Sequence, residues 1–510
     1  MIISLSVLVI TIIVSGTYAL YKAQLSKNIG VNTTTHGLAY YINYVKGTDI
    51  TAATLNPSTS YEGGASSDIE FWKKDDSYDI YGKIELTVNT IGTNLSNSPA
   101  LKYAVVNNGN VLKEGSLKGT TSGSKVTILK NLYLEQTKQI YTVYVWLDNS
   151  EELGNISNES LSISVDCTAS LQKEPTAADT IISLYTSAAK VTATNNSITY
   201  NTAPSVSLMN DRLGGTTTSL DGGNIRYYGA SPNNYIYFNC SDYSNQTSST
   251  CETWRIIGVF DGKLKLIRGS QIGKYSWDNK NTSTGAENDA GKNDWTTARL
   301  MKLLNPSNYY KVDSNDNNLG QSLYYNSASG KCYSGQNNAT VDCDFTSTGI
   351  KNAETRNMIA ETTYNLGGWN SNSVYSNQIY EYERGTTVYS GRPTTWKGKI
   401  ALAYPSDYGY AADLNQCKDK TLYDYDNRTC TSNNWMKAII TNNGSNTGWL
   451  LTPRSGHSFY AWRVSSDGGV NNNRNAYFAF GAVPVLSLSS ELGIESGGDG
   501  SSSKPYKLSA

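Results

Sequence analysis

The sequence predicts an exported, multidomain, β-rich protein: an all-β sandwich followed by an α+β head, with a hydrophobic signal or anchor helix in front of both. Three observations carry this reading. Ile2–Tyr21 is an almost unbroken apolar run. Residues 22–170 are a succession of short alternating stretches separated by turn residues. Beyond them, six of the seven cysteines fall into three close pairs around polar loops. A chain of 510 residues exceeds what one hydrophobic core usually serves, so more than one domain is expected.

The apolar run comes first. It is long enough to span a bilayer, and Thr17-Tyr18-Ala19 places small residues where a signal peptidase reads. No Lys or Arg precedes Lys22, so the usual basic opening of a signal peptide is missing, which leaves room for a start further upstream. Residues 1–21 are read as a signal peptide or, uncleaved, a membrane anchor. Either form places the protein outside the cell, at the cell surface or on the membrane.

The cysteines agree. Cys240 with Cys251, Cys332 with Cys343, and Cys417 with Cys430 each enclose a loop rich in Asn, Ser, Thr or Asp. None has Cys-x-x-Cys spacing and the chain holds only two His, so local disulfides closing surface loops are expected rather than zinc. Cys167 is left over and is read as a buried thiol. With 42 basic and 43 acidic residues there is no global field for nucleic acid, and none is expected as a partner. A charged fraction of 17% with 38 Tyr suits an extracellular β-protein.

Residues 22–170 read as the sandwich. Lys83–Asn89 alternates with Ile84, Leu86 and Val88 on one face. Tyr103–Val106 and Val111–Glu114 flank Asn108-Gly109, a two-residue hairpin signal. Lys125–Leu129, Ile140–Leu147 and Leu161–Val165 continue the pattern, which indicates a sandwich. Its place behind an apolar leader, with Tyr-Ala-Val-Val-Asn-Asn-Gly-Asn (103–110) and Val143-Tyr144-Val145-Trp146-Leu147-Asp148, resembles the TasA/camelysin-type surface and biofilm-fibre proteins of Gram-positive bacteria. The resemblance implies the fold and a surface location. Metalloprotease chemistry is not carried over, since there is no His-Glu-x-x-His and His36 stands alone.

Residues 171–190 read as a linker and short helix, 191–490 as the head, and 491–510 as a flexible tail. In the head, Tyr235–Asn239, Thr253–Phe260 and Lys263–Arg268 are expected strands, the last two joined at Asp261-Gly262. Helices are expected from Asp294 to Leu304, from Ile350 to Leu366 ahead of Gly367, and over Asn434–Thr441. Lys399–Tyr404 completes the set as a strand. Few helices, few strands and long loops indicate α+β.

No catalytic signature is present: no Gly-x-Ser-x-Gly elbow, phosphate loop or dinucleotide motif. His457 has Ser455 and Ser458 near it in sequence but no orienting acid, so no catalytic residue is assigned. Asp313-x-Asn315-x-Asn317 begins like a calcium loop but has Asn318 and Tyr324 where Gly and Glu belong, and reads as a solvated loop. No enzyme activity, cofactor or metal is expected.

The richest stretch runs from Trp449 to Leu488. Trp449–Leu451 and Val483–Leu488 read as core strands, and Asp467-Gly468 as a hairpin turn. Trp449-Leu450-Leu451-Thr452-Pro453-Arg454-Ser455, Val464-Ser465-Ser466-Asp467-Gly468-Gly469-Val470 and Gly481-x-x-Pro484-Val485-Leu486 resemble the end of a C-type-lectin-like fold. The version is similar to bacterial and phage variable proteins diversified by retroelements, and more distantly to formylglycine-generating enzymes. The family usually has Arg before the proline; Val483 stands there. The formylglycine activity needs a reactive cysteine pair, and the cysteines here read as loop staples. Adenine-directed diversification of Asn codons cannot create Lys, Glu, Gln or Met, and residues 456–480 contain none of them.

Within that window, Tyr and Phe offer large contact area at low entropic cost, while Asn, Ser and Gly offer adaptable hydrogen bonds, as in paratopes. His457, Phe459, Tyr460, Arg463, Asn471, Asn473, Arg474, Tyr477 and Phe478 are the expected ligand contacts. Trp449, Leu451, Trp462, Val464, Val485 and Leu486 are expected to face inward. These features imply an adhesin-like surface protein whose head binds a protein or glycan on another cell or surface. The alternative is a structural fibre subunit, assembling with its own copies through strand addition by the sandwich.

Overall fold

The computed structural model describes residues 23–25, 41–51, 55–151, 153–156, 159–212, 223–279, 290–311, 319–335, 339–442 and 446–509. Ile2–Tyr21, His36 and Asp313–Asn317 lie outside the described residues. Among those described, no helix is long and apolar enough to cross a membrane. Strand dominates, and the chain divides into two units, Met1–Glu174 and Pro175–Ala510.

Period-two patterning builds the first unit. In Tyr81–Ile91, Ile84, Leu86 and Val88 are fully buried while Lys83, Glu85 and Thr87 between them are only half-buried. This strand pairs with Lys125–Tyr133 on one side and Leu161–Ser170 on the other, and the latter also takes Ala23–Leu25 and Ile50–Thr51. A second sheet runs Ile42–Val45, Ala65–Lys73, Ile140–Asp148, Leu101–Asn107, Asn110–Ser116, with Pro57–Ser58 joining Ile140–Asp148 in parallel. Ile69, Phe71, Val105, Val143 and Val145 from this sheet share one apolar cluster with Ile84, Leu86, Val88 and Val165 from the first. That is a sandwich. Asn107 and Asn110 close a hairpin over Asn108 (φ 49°) and Gly109 (φ 75°), the paired positive φ values of a type I′ turn. Cys167 is buried in this core, and burial pushes its thiol pKa up.

The second unit holds a long and a short sheet. The long one runs Val191–Asn195, Ile198–Ala203, Leu208–Asn210, Ile225–Tyr227, Glu252–Phe260, Lys263–Arg268, Val485–Ser487, Ile400–Ala401, with Tyr235–Phe238 also on Glu252–Phe260. The short one runs Gly273–Ser276, Ala479–Ala482, Gly448–Pro453, Tyr460–Val464, Val470–Asn475. Val483-Pro484 carries the chain from one sheet to the other, and the Pro484 carbonyl accepts from the Arg268 amide.

The cysteines pair as their spacing predicts: Cys240 with Cys251, Cys332 with Cys343, and Cys417 with Cys430. The loops they close lie at the surface as expected, while the sulfurs themselves are buried. Cys240, Cys251, Cys332 and Cys343 are buried in the largest apolar cluster of the unit, and Cys417 and Cys430 in a second one. A disulfide has no strong hydrogen-bonding group to leave unpaired. The sulfurs therefore pack inward while the polar residues between them stay at the surface.

Several further expectations are corrected here. Ala177–Ser187 is a helix with a Thr176/Asp179 capping box, and Ala177, Ala178, Ile181 and Tyr185 are buried in the core of the second unit, so it is not part of a linker. Residues 491–510 are not a free tail: Gly493–Ile494 pairs with Leu508–Ser509, Leu492, Tyr506 and Leu508 are buried, and the Tyr506 amide donates to Tyr235 O. Asp294 does not cap a helix. Its carboxylate accepts from Thr296 N and Oγ1, and the helix begins only at Arg299–Leu304. The expected helix over 350–366 is Ala353–Met358 alone, because Thr362–Asn365 turns extended to pair with Thr395–Gly398. Strand is confined to Ile400–Ala401 within Lys399–Tyr404, and helix to Lys437–Ile440 within Asn434–Thr441.

Candidate functional site

Gly448–Pro453 is buried at every residue and forms the middle of the short sheet. Trp449, Leu451, Trp462, Val464, Val485 and Leu486 are each at most 1% exposed, so the frame faces inward. The turn at Asp467-Gly468 is a hairpin between Tyr460–Val464 and Val470–Asn475, with Gly468 at φ 104°, where a Cβ would also meet Thr431.

Two aromatic groups stand beside this frame. In the first, the His457 ring lies 4.6 Å from Tyr460 and 6.0 Å from Phe459, with Phe459 and Tyr460 edge-to-face at 4.8 Å. Arg454 reaches over the Tyr460 ring and donates to Asn370 Oδ1 at 2.8 Å. Partial burial, then the nearby Arg454 charge, lowers the His457 pKa, which favours the neutral imidazole. In the second group, Tyr477 stacks on Phe478 at 4.8 Å, Phe478 on Phe480 at 5.8 Å, and Phe480 meets buried Trp449 at 4.7 Å. The two groups are linked where the Ala476 amide donates to Phe459 O.

Residues outside the 456–480 window hold the first group in place. Asn293 Nδ2 donates to the carbonyls of Arg454, His457 and Tyr460 at 3.1, 2.7 and 2.9 Å, and its amide donates to Ser458 O. Arg392 donates to Asn293 Oδ1 and to Ser458 O. This latch joins positions about 160 residues apart, and the segment Asn293-Asp294-Trp295 is the one trace of it in the sequence.

Of the nine expected contacts, Asn473 and Arg474 are exposed, and His457, Phe459, Tyr460, Asn471, Tyr477 and Phe478 are half-buried. Arg463 is different. It is 8% exposed, its guanidinium lies 5.7 Å from the Phe480 ring, and Nη1 donates to Ser465 Oγ at 2.6 Å. Asn471, its cross-strand neighbour, donates to the same hydroxyl. Tyr460–Val464 is flanked by strands on both sides, so an inward position on it is covered on its face as well as its edges. Burial, then the Arg474 charge, pulls the Arg463 pKa down to about 10. Arg463 therefore supports the surface from beneath.

The disulfide residues do not enter this surface. Cys240, Cys251, Cys332, Cys343, Cys417 and Cys430 are all oxidised and buried, so none offers a reactive thiol. Among the described residues, no group of three or more His, Cys, Asp or Glu is arranged to hold a metal ion.

No family model matches the chain, and no curated protein matches its sequence. Among solved structures, the receptor-binding domain of botulinum neurotoxin mosaic serotype C/D, crystallised with tetraethylene glycol and a sulfate ion, aligns at 12% identity and a TM-score of 0.15, over 52% of this chain and 75% of that one. A tryptophan-to-alanine and a phenylalanine-to-alanine variant of HCR/D align at 11% and 13% identity, both at a TM-score of 0.15, over 50% and 51% of this chain and 75% of each. A likeness that low carries no argument about fold or ligand.

Proposed function

We propose that this is an exported bacterial cell-surface binding protein, adhesin-like, whose second unit is a C-type-lectin-like head recognising a protein or glycan. The observation that supports it most is the accessible aromatic and amide surface of residues 457–478 set on a wholly buried strand. A rigid frame beneath adaptable side chains is how recognition surfaces are built. The contacts we assign are His457, Phe459, Tyr460, Asn471, Asn473, Arg474, Tyr477 and Phe478, with Arg463 positioning them. The three disulfides support an oxidising, extracellular setting, and no catalysis is assigned.

The test is a glycan array and a surface-protein binding screen with the full chain, followed by Tyr460→Ala, Tyr477→Ala and Phe478→Ala. Each should weaken capture at least tenfold, as loss of a buried aromatic anchor does. Capture unchanged in all three refutes the reading. The fibre alternative keeps one observation in its favour: Asn110–Ser116 is an edge strand with Val111 and Leu112 exposed. It requires fibres from the full chain that Val111→Lys abolishes.

A further inference from the structure

A buried guanidinium is ordinarily neutralised by carboxylates, and the second unit follows this at Arg226, which contacts Asp211 and Asp407, and at Arg268, which grips Glu252. Arg255 departs from it. On Glu252–Phe260, strand alternation sends Trp254 and Ile256 into one apolar cluster and Ile257 into another, and Arg255 falls on the Ile257 side. It is 7% exposed. Its Nε donates to Asn234 Oδ1 at 2.5 Å and Nη2 to Pro232 O at 3.2 Å, both neutral acceptors. The guanidinium carbon lies 3.7 Å from the Tyr235 ring centroid and 4.9 Å from that of Trp435. Burial pulls the Arg255 pKa down to about 10, opposed only by Tyr235.

Arg255 also lines a cavity of about 430 Å³ with Tyr235, Glu252, Thr253, Arg268, Ser270 and Ile439. Among the described lining residues, the one carboxylate is already engaged. Arg268 Nε and Nη2 each reach a Glu252 oxygen at 3.0 Å, and Trp254 Nε1 donates to Glu252 at 3.0 Å. Two guanidiniums against one carboxylate leave the wall with a surplus positive charge. Ser270 Oγ accepts from Arg268 Nη1, which leaves its own hydroxyl hydrogen to donate. The volume falls in the range of small-molecule sites, ~300–1,000 Å³, well above what a bare ion fills.

We propose that this cavity binds a small organic carboxylate, the size of one uronic sugar or one acidic amino acid. Arg255 is its counter-cation and Ser270 a hydroxyl donor. The site is separate from the 457–478 surface, and neither reading depends on the other.

Trp435, against the guanidinium, provides a fluorescence signal. The full chain is titrated with glucuronate, with N-acetylglutamate, and with glucose as the neutral control. Saturable one-site binding of either carboxylate, with no response to glucose, supports the proposal, and the carboxylate that binds identifies the source. Arg255→Gln keeps hydrogen bonding without charge and should weaken binding at least tenfold, about what one charge-assisted bond contributes. Ser270→Trp, at an exposed rim position, should abolish binding with the melting temperature retained, and it decides the matter if Arg255→Gln fails to fold. No saturable response to either carboxylate, an equal response to glucose, or binding that survives Ser270→Trp overturns the proposal, as does a folded Arg255→Gln protein that binds normally.

Discussion

Arg226 and Arg255 are buried to similar depth in the same unit, and their surroundings drive them in opposite directions. Arg226 is 1% exposed, with Asp211 at 2.5 Å and Asp407 at 2.9 Å; Asp407 also holds Lys265 at 2.5 Å. Burial alone would lower the Arg226 pKa, but the two carboxylates outweigh it and the pKa is raised. At Arg255, and likewise at Arg463, burial wins and the pKa falls to about 10. For these arginines depth does not set the direction of the shift; a carboxylate in ion-pair contact does.

The largest effect should come from Asp407→Ala, which leaves both Arg226 and Lys265 buried beside one carboxylate fewer. A loss of about 3–5 kcal/mol is expected in chemical denaturation of the full chain. A loss below about 1 kcal/mol would erase the contrast between paired and unpaired cations.

A pH titration sharpens the paired side. Glu383 is fully buried and accepts from Ser406 N at 2.9 Å and Oγ at 2.5 Å. Burial pushes its pKa from 4.5 up to about 7, with Arg384 and Ser406 opposing and Asp407 adding to the rise. The folded state thus holds this proton more tightly than the unfolded chain. The stabilisation from that proton is complete below the unfolded pKa and is lost as pH rises towards about 7. The full swing is on the order of 3 kcal/mol. Glu383→Gln should flatten this decline in melts recorded across the window, and an unchanged slope would assign it to other groups.

Asn293→Ala tests the latch under the recognition surface. The His457 carbonyl loses its donor, and the Arg454 and Tyr460 carbonyls each lose one of two, for a cost of about 2 kcal/mol. Amide exchange should rise in residues 454–460 and little elsewhere; a uniform rise would mean the latch serves the whole core. The smallest effect is expected at Arg463→Met. Removing a buried cation that has no carboxylate in ion-pair contact among the described residues should change stability by less than about 1 kcal/mol. A cost matching that of Asp407→Ala would place Arg463 on the paired side of the comparison.

Much of this chain is legible locally. Asn108-Gly109, Asp261-Gly262 and Asp467-Gly468 each close a hairpin, because the turn residues and the flanking alternation lie within a few positions of one another. The three disulfides join cysteines 11 to 13 residues apart, a spacing that polar loops close readily. Buried Trp462 and Val464 follow from alternation. What tertiary structure decided spans the chain. The pairing of Cys417 with Cys430 could be read from spacing, but not that Leu450 and Trp462 would share their apolar cluster. Thr362–Asn365 became strand because Thr395–Gly398 offered it an edge, overriding a helical pattern. Residues 491–510 docked because Gln246 and Tyr235 offer partners to the backbone of Leu508 and Tyr506. Arg463 went under the surface, and Arg255 met Trp435, 180 positions away, at the wall of a cavity. Period and turn chemistry are properties of neighbouring residues and can be read in order. Burial of a charge and the company it keeps depend on which distant strands pack together, and the chain carries no local mark of that.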